Sequence, residues 1–354
     1  MAPHTSKNVV IIGSGIAGLT TAKLLCENGI KATIVEKSSV LGGHTRKWSC
    51  KATSQCQVCN RCSLDDVMAA LENYGVQYLT ESELGSVARD SAGYLRGVKI
   101  STSGSEVAEE IPSDALALCV GFETYDPSEK LLWGYGALDG VMTLADLDFV
   151  LDQQRLNDLG NGSEQTKIAF FQCVGSRDKS VGANYCSQYC CKAALRSAVK
   201  LKSEKPQWSV AIFYIDLQVS GKYASSLLGR ATESGIELAQ GVPGEIFLDE
   251  NKKLAVNIEK NGTNAREQFD KIILSVGQRP SASTAILSQI TGVGLNEHGF
   301  FESRTIFDPN RTCAQGVYLA GACGAPMDIE TTILNASAAA SDIISDLSGI
   351  HKGA

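Results

Sequence analysis

Histidine is scarce in this chain. There are four in 354 residues (His4, His44, His298 and His351), no two spaced as a ligand pair, which excludes a histidine-built metal centre. No apolar run approaches the ~20 residues of a transmembrane helix, so no membrane span is expected. Positive charge is in deficit too. With 32 Lys and Arg against 39 Asp and Glu, the net charge of −7 argues against nucleic acid as the main partner. No secretory leader precedes the first apolar run, and a cytoplasmic protein is expected. The remainder, 44% hydrophobic and 20% charged, is the composition of a globular protein long enough for two domains.

Cysteine, by contrast, is abundant and clustered. Twelve in a large chain without a leader favour metal or redox chemistry over a disulfide framework. Four of them, Cys173, Cys186, Cys190 and Cys191, fall within nineteen residues. Cys173 follows the apolar run 168–171, which reads as a buried strand. Cys190 and Cys191 open a helical pattern over 187–202, with Ala194, Leu195, Ala198 and Val199 on one face and a breaker at Pro206. Strand, loop and helix start in that order predict a dinucleotide-binding crossover, whose ligands sit at the carboxyl end of the strand. Thiols stand where its glycine-rich loop belongs. Soft ligands suit a tetrahedral metal or an iron–sulfur cluster, and a helix amino end favours a centre of negative charge. Zinc is an alternative, although two C-x2-C knuckles are its commoner signature. Buried free thiols are another, opposed by the expectation that adjacent Cys190 and Cys191 cannot both face one core.

Near the start, the buried strand 9–12 runs into Gly13-Ser14-Gly15-Ile16-Ala17-Gly18, a helix over about 16–28 stopped by Gly29, and a second strand over 31–36 that ends in the acid Glu36, with Lys37 next to it as a further cofactor-binding candidate. In such a unit the glycines admit a pyrophosphate, the helix dipole meets its charge, and the acid takes the ribose hydroxyls. Gly42-Gly43 follows soon after, an arrangement similar to that of flavin adenine dinucleotide (FAD) enzymes of the disulfide-reductase-like class. His44 reads as a flavin neighbour or as a loop residue. Cys50, Cys56, Cys59 and Cys62 then lie in a polar loop. Three readings stay open there: a second metal centre, a redox pair at Cys56/Cys59 or Cys59/Cys62, and reactive surface thiols.

The order of elements repeats. Hairpins over 84–120 end in an apolar strand and Gly121. Later, a strand and helix over 168–202, a strand over 210–215 and a helix over 223–234 lead to hairpins turning at Asp249-Glu250-Asn251 and Asn261-Gly262, then a strand over 271–276. The prediction is an α/β chain of two Rossmann-like dinucleotide-binding domains: an FAD domain over 1–125 and 300–354, and an inserted domain over 126–299 carrying the cysteine motif. The inserted copy lacks GxGxxG, with Gln172-Cys173-Val174-Gly175-Ser176 in its place. A tail strand over 316–321 and a helix over about 329–347 return to the first domain, with the helix start aimed at the flavin ring. Val87, Gly121, Gly321, Ala322, Asp328 and Ile329 complete the expected flavin site. Cys26, Cys119, Cys313 and Cys323 read as packing residues. Lys192, Arg196 and Lys200 form a basic helical stripe, either a solvated face or a dock for an acidic partner.

The run Phe171-Gln172-Cys173-Val174-Gly175-Ser176-Arg177-Asp178, with Tyr185-Cys186-Ser187, Cys190-Cys191, Leu41-Gly42-Gly43-His44 and Leu319-Ala320-Gly321, closely resembles HdrA, the flavoprotein subunit of heterodisulfide reductase (Hdr). The resemblance covers nearly the whole chain. It implies a thioredoxin-reductase-like core that binds FAD through Gly13, Gly15, Gly18, Glu36, Gly42 and Gly43, with a [4Fe-4S] cluster on Cys173, Cys186, Cys190 and Cys191. Ala322 stands where common flavoproteins carry an Asp for the ribityl chain, which leaves that work to main-chain amides near Gly321 and Asp328 to Ile329. The methanogen HdrA is longer and carries ferredoxin-like domains whose motifs this sequence does not show. The short form resembles the Hdr-like flavoprotein of sulfur-oxidising complexes, implying other Hdr-like subunits and a lipoate-bearing protein as partners, with a homodimer expected. An electron-transferring oxidoreductase is the expected function. The alternatives are an NAD(P)H-dependent disulfide oxidoreductase using Cys56/Cys59 and a zinc-stapled scaffold with structural FAD.

Overall fold

The computed structural model describes residues 7–105, 107–160, 163–260 and 263–349. The expected turn at Asn261-Gly262, His4 and His351 lie outside them. In chain order the first elements are β1 (Asn8–Ile12), α1 (Ile16–Glu27), β2 (Lys31–Val35), α2 (Gly43–Lys47), α3 (Ser63–Leu71), β3 (Gln77–Leu79), β4 (Ser82–Arg89), β5 (Leu95–Thr102), β6 (Glu109–Pro112), β7 (Ala115–Leu118) and β8 (Phe122–Thr124). Next come β9 (Val141–Thr143), α4 (Leu144–Asp152), α5 (Leu156–Leu159), β10 (Lys167–Val174), α6 (Cys190–Glu204), β11 (Ser209–Tyr214), α7 (Ala224–Glu233) and β12 (Glu237–Gln240). They are followed by β13 (Pro243–Leu248), β14 (Leu254–Lys260), β15 (Thr263–Phe269), β16 (Lys271–Val276) and β17 (Gln278–Pro280). The chain closes with α8 (Thr284–Thr291), β18 (Val317–Leu319) and α9 (Ile329–Ser348).

Two compact units result, one drawn from 1–46, 60–123 and 280–354, the other from 47–59 and 124–279. The first holds a parallel sheet in the order β18-β7-β1-β2-β3. Val9, Val10 and Ile11 are wholly buried, as expected of a parallel strand covered on both faces. The antiparallel β4-β5-β6 sheet turns Leu84, Leu95, Val98, Ile100 and Ile111 into the core that holds Val10, Leu116 and Leu118. Leu287 and Val293 enter that same core, which ties the region after residue 280 to the first unit. The order of elements in the sequence puts 280–299 in the inserted domain; its apolar side chains decide otherwise.

The second unit repeats the architecture with the parallel order β12-β11-β10-β16-β9, accompanied by antiparallel β13-β14-β15. Along β10, Ile168 and Phe170 pack with Leu195, Ala198 and Trp208 on one face. Ala169 and Phe171 pack with Phe213, Phe269 and Leu274 on the other, the strand's period of two dividing the cores. The two crossovers β1-α1-β2 and β10-α6-β11 are equivalent, so the two-Rossmann α/β architecture expected from sequence is the one observed. Helix α6 begins at Cys190 rather than 187, because Gln188 takes φ +59°, outside the helical region, while the Ser187 hydroxyl accepts the Gln278 amide at 2.8 Å. Among the described residues no helix is long and apolar enough to cross a membrane.

Candidate functional site

In the first unit the glycine loop lies at the carboxyl end of β1. Two of its glycines are forced by close approach: a Cβ at Gly13 would stand 2.5 Å from the Cys119 carbonyl oxygen, and one at Gly18 would stand 2.0 Å from that of Gly13. Gly15 is different. It precedes α1 without a side-chain cap, and no atom lies within 4 Å of where its Cβ would be. The first-turn amides of α1, which begins with buried Ile16 and Ala17, have no intrahelical partner, as at any helix start, and the Cβ position of Gly15 is clear of other atoms. Gly42 forms a parallel bridge with Gly15 and donates to the Ser14 carbonyl at 3.0 Å, and the Cβ of a residue at 43 would stand 3.1 Å from Gly15 Cα.

Glu36 accepts from the Ser14 amide at 2.9 Å and hydroxyl at 2.6 Å, and from the Ser38 amide and hydroxyl, each at 2.9 Å. Burial alone would push its carboxyl up; these hydrogen bonds outweigh burial and hold it below its ordinary value. Lys37 is exposed. His44 stacks on Phe122 at 4.4 Å with Nε2 2.8 Å from the Phe122 carbonyl oxygen, so it is an anchored residue rather than a solvated one. Gly121 follows β7, one strand over from the glycine loop. Val87 lies on β4 and packs against the core. Gly321 follows β18, packed against Ala17 and Thr332, and its amide donates to Asn335 Oδ1 at 2.7 Å. Ala322 is buried, and Asp328 caps α9 by accepting from the Thr331 amide at 2.8 Å, just before buried Ile329. The Gly321 amide and the Asp328 carboxylate are thus both engaged within the protein. The bare amides at Gly15 and the acid at the end of β2 fit a dinucleotide.

In the second unit the thiol motif lies at the carboxyl end of β10, the middle strand of its sheet. The register shifts between Phe171 and Val174, and Cys173 takes φ +62°, in the left-handed region. Five of the eight non-glycine residues with positive φ among those described fall in the two cysteine segments: Val58, Asn60, Cys173, Arg177 and Gln188. Clustering of that kind marks functional loops. The loop is pinned by Arg177 N donating to the Tyr185 carbonyl at 2.9 Å, Tyr185 Oη to that of Gln278 at 2.9 Å, and Tyr189 Oη to that of Val276 at 2.5 Å.

Cys190 and Cys191 occupy the first turn of α6, which has no side-chain cap, and both are buried. Adjacent cysteines are not expected to be buried together; these are because they turn toward other sulfurs. Cys190 is hydrogen-bonded to Cys173 and Cys191, and those bonds, followed by burial, push its thiol well up. The same bonds pull Cys173 down and Cys191 down to about 7. Burial raises Cys186, whose sulfur accepts the Gln188 amide at 3.3 Å. The Ser176 hydroxyl is buried without a hydrogen-bond partner. Among the described residues no three His, Cys, Asp or Glu groups are arranged to hold a single metal ion. A four-iron cluster makes a different demand, since its thiolates surround a cube rather than converge on one point. Four soft donors, an uncapped helix start, an amide on sulfur and the Arg177 cation fit such an anionic group.

The other cysteine loop is divided: Cys50, Cys56 and Cys59 belong to the second unit and Cys62, preceding α3, to the first. Cys50, Cys56 and Cys62 are exposed and Cys59 is partly buried. The basic stripe of α6 neither faces solvent nor is open for docking. Arg196 donates to the Gln57 and Val58 carbonyls at 3.0 and 2.8 Å, Lys200 donates to that of Ala52 at 2.8 Å, and Lys192 is buried. Buried Lys51 pairs with Asp148, Ser49 donates to the same carboxylate at 2.8 Å, and Trp48 stacks on Tyr189. Sequence reasoning misses this clamp and gives Arg177 no role. Cys119 and Cys323 are buried packing residues as expected, but Cys313 is exposed.

Residues 11–83 match the model of an NAD(P)-binding Rossmann-like domain. Thioredoxin reductase of T. acidophilum is similar in structure at TM-score 0.61 and 18% identity, over 97% of this chain and all of that one. Thioredoxin reductase of Lactococcus lactis gives the same score at 21% identity, over 97% of this chain and 99% of that one. An iron-sulfur HdrA protein of the CoB–CoM heterodisulfide reductase of Methanopyrus kandleri is 33% identical over 244 residues, 66% of this chain and 37% of the relative. The HdrA protein of a ferredoxin:CoB–CoM heterodisulfide reductase of Methanosarcina acetivorans is 25% identical over 451 residues, 95% of this chain and 56% of the relative.

The fold is thus the thioredoxin reductase architecture. The sequence relatives support an HdrA-like family for the chain. The chain spans about a third to a half of the length of these curated relatives.

Proposed function

We propose that the chain is an FAD- and [4Fe-4S]-containing electron-transfer subunit of an Hdr-like complex, working in thiol and disulfide chemistry of the kind used in sulfur oxidation, in the cytoplasm. The observation that carries this reading is the set of four thiols at the carboxyl end of β10, in the position a nicotinamide pyrophosphate takes in a standard crossover. The amides of the first α1 turn would receive the FAD pyrophosphate, Glu36 the ribose hydroxyls, and the start of α9 the flavin. Cys173, Cys186, Cys190 and Cys191 would hold the cluster. When bound, a flavin supports both two-electron exchange with thiols and one-electron exchange with a cluster. Other Hdr-like subunits and a lipoate-bearing protein are the proposed partners, with a homodimer as the assembly.

Protein purified without oxygen is expected to contain about four irons and one FAD per chain and to show a broad brown-yellow absorbance. Zinc without iron would overturn the reading in favour of a metal-stapled scaffold. Rapid flavin reduction by NADH, with turnover lost in Cys59→Ser, would replace it with a pyridine-nucleotide disulfide oxidoreductase.

A further inference from the structure

We propose that Arg177 and Asp216 form an opposed pair of positioning residues that sets the charge felt at the four-sulfur site, and so the reduction potential of the cluster bound there. This rests on the iron–sulfur reading above.

The placement of both charges is enforced by backbone. Arg177 takes φ +54°, and its amide donates to the carbonyl of Tyr185, the residue before Cys186, at 2.9 Å. Its backbone is thereby fixed across the loop that joins the first two cysteines. Asp216 lies just beyond β11, with its carbonyl oxygen 4.0 Å from Cys191 Sγ. Between these two anchors the Arg177 guanidinium and the Asp216 carboxylate pair directly. The pair therefore reaches from the loop joining Cys173 and Cys186 to the main chain beside Cys191 Sγ.

The side chains are 29% and 48% exposed, so the pair contributes little to folding. Its effect falls on the site instead. Four thiolates make a cluster anionic, and reduction adds one more negative charge, so a nearby cation favours the reduced form and a nearby carboxylate the oxidised form.

The test is a redox titration of the cluster followed by electron paramagnetic resonance, with iron content measured on each sample. Arg177→Met is expected to lower the midpoint so that the oxidised-to-reduced ratio at fixed potential rises at least tenfold, about 59 mV for one electron. Asp216→Asn is expected to move it the other way. Arg177→Lys keeps the charge and is expected to stay within threefold of the native protein. A purely structural role would move the Met and Asn variants in the same direction or in neither, and either result at native iron content overturns the proposal. If Arg177→Met takes up no iron, Asp216→Asn decides alone, since only an upward shift is compatible. A native protein without iron would overturn the cluster reading itself, and the proposal with it.

Discussion

Gly15 and Gly18 stand one turn apart yet answer to different demands. Gly18 is fixed by backbone contact, and Gly15 borders open space. Gly18→Ala is therefore expected to cost about 1–3 kcal/mol through overpacking and to lose flavin as well. Gly15→Ala is expected to leave the melting temperature nearly unchanged while flavin content falls severalfold. Thermal melts and flavin absorbance separate the two outcomes; full flavin occupancy in Gly15→Ala would sink the pyrophosphate assignment. Glu36 gives a pH test at the same scale. Its carboxyl is held below the ordinary range, so its stabilisation is complete above the unfolded value and is lost as pH falls through the folded one. The urea midpoint of the native protein should thus approach that of Glu36→Gln as pH drops from about 5 to about 3. A gap that stays constant would contradict this.

Helix α6 is the element on which both cysteine segments depend. Its amino end carries Cys190 and Cys191, and its middle holds the backbone of the loop containing Cys56. Arg196→Ala removes two charge-assisted hydrogen bonds and is expected to destabilise the protein by about 1.5–3 kcal/mol. It should also speed alkylation of Cys56, read by mass spectrometry, at low and at high salt. Unchanged alkylation would return the stripe to the status of a plain surface. The sequence announces the stripe by its spacing of four but not what it faces, because helical periodicity identifies a shared face and leaves its partner open. Lys51 is equally silent: its partner Asp148 is 97 residues away.

At the scale of the molecule, the parallel cores are readable because strands buried on both faces are written as unbroken apolar runs. The glycine loop and the thiol motif are readable because their chemistry demands particular residues at particular spacings. The unit boundaries are less so. Residues 47–59 look like an ordinary polar loop of the first domain, and only contacts distant in sequence assign them to the second unit. The four motif cysteines and the glycine loop belong to different units. Stripping iron with a chelator and oxidant is therefore expected to lower the melting temperature by several degrees while flavin stays bound. Coincident loss of both would count against that separation.

Cys173 holds a backbone angle that glycine tolerates without penalty and that any larger residue adopts at roughly 1–2 kcal/mol. An iron-free Cys173→Gly protein should accordingly unfold at a higher temperature than iron-free native protein, although it could never be fully loaded. On the cluster reading proposed above, part of the energy of binding iron offsets this strain, so the backbone places the Cys173 thiolate before any iron arrives.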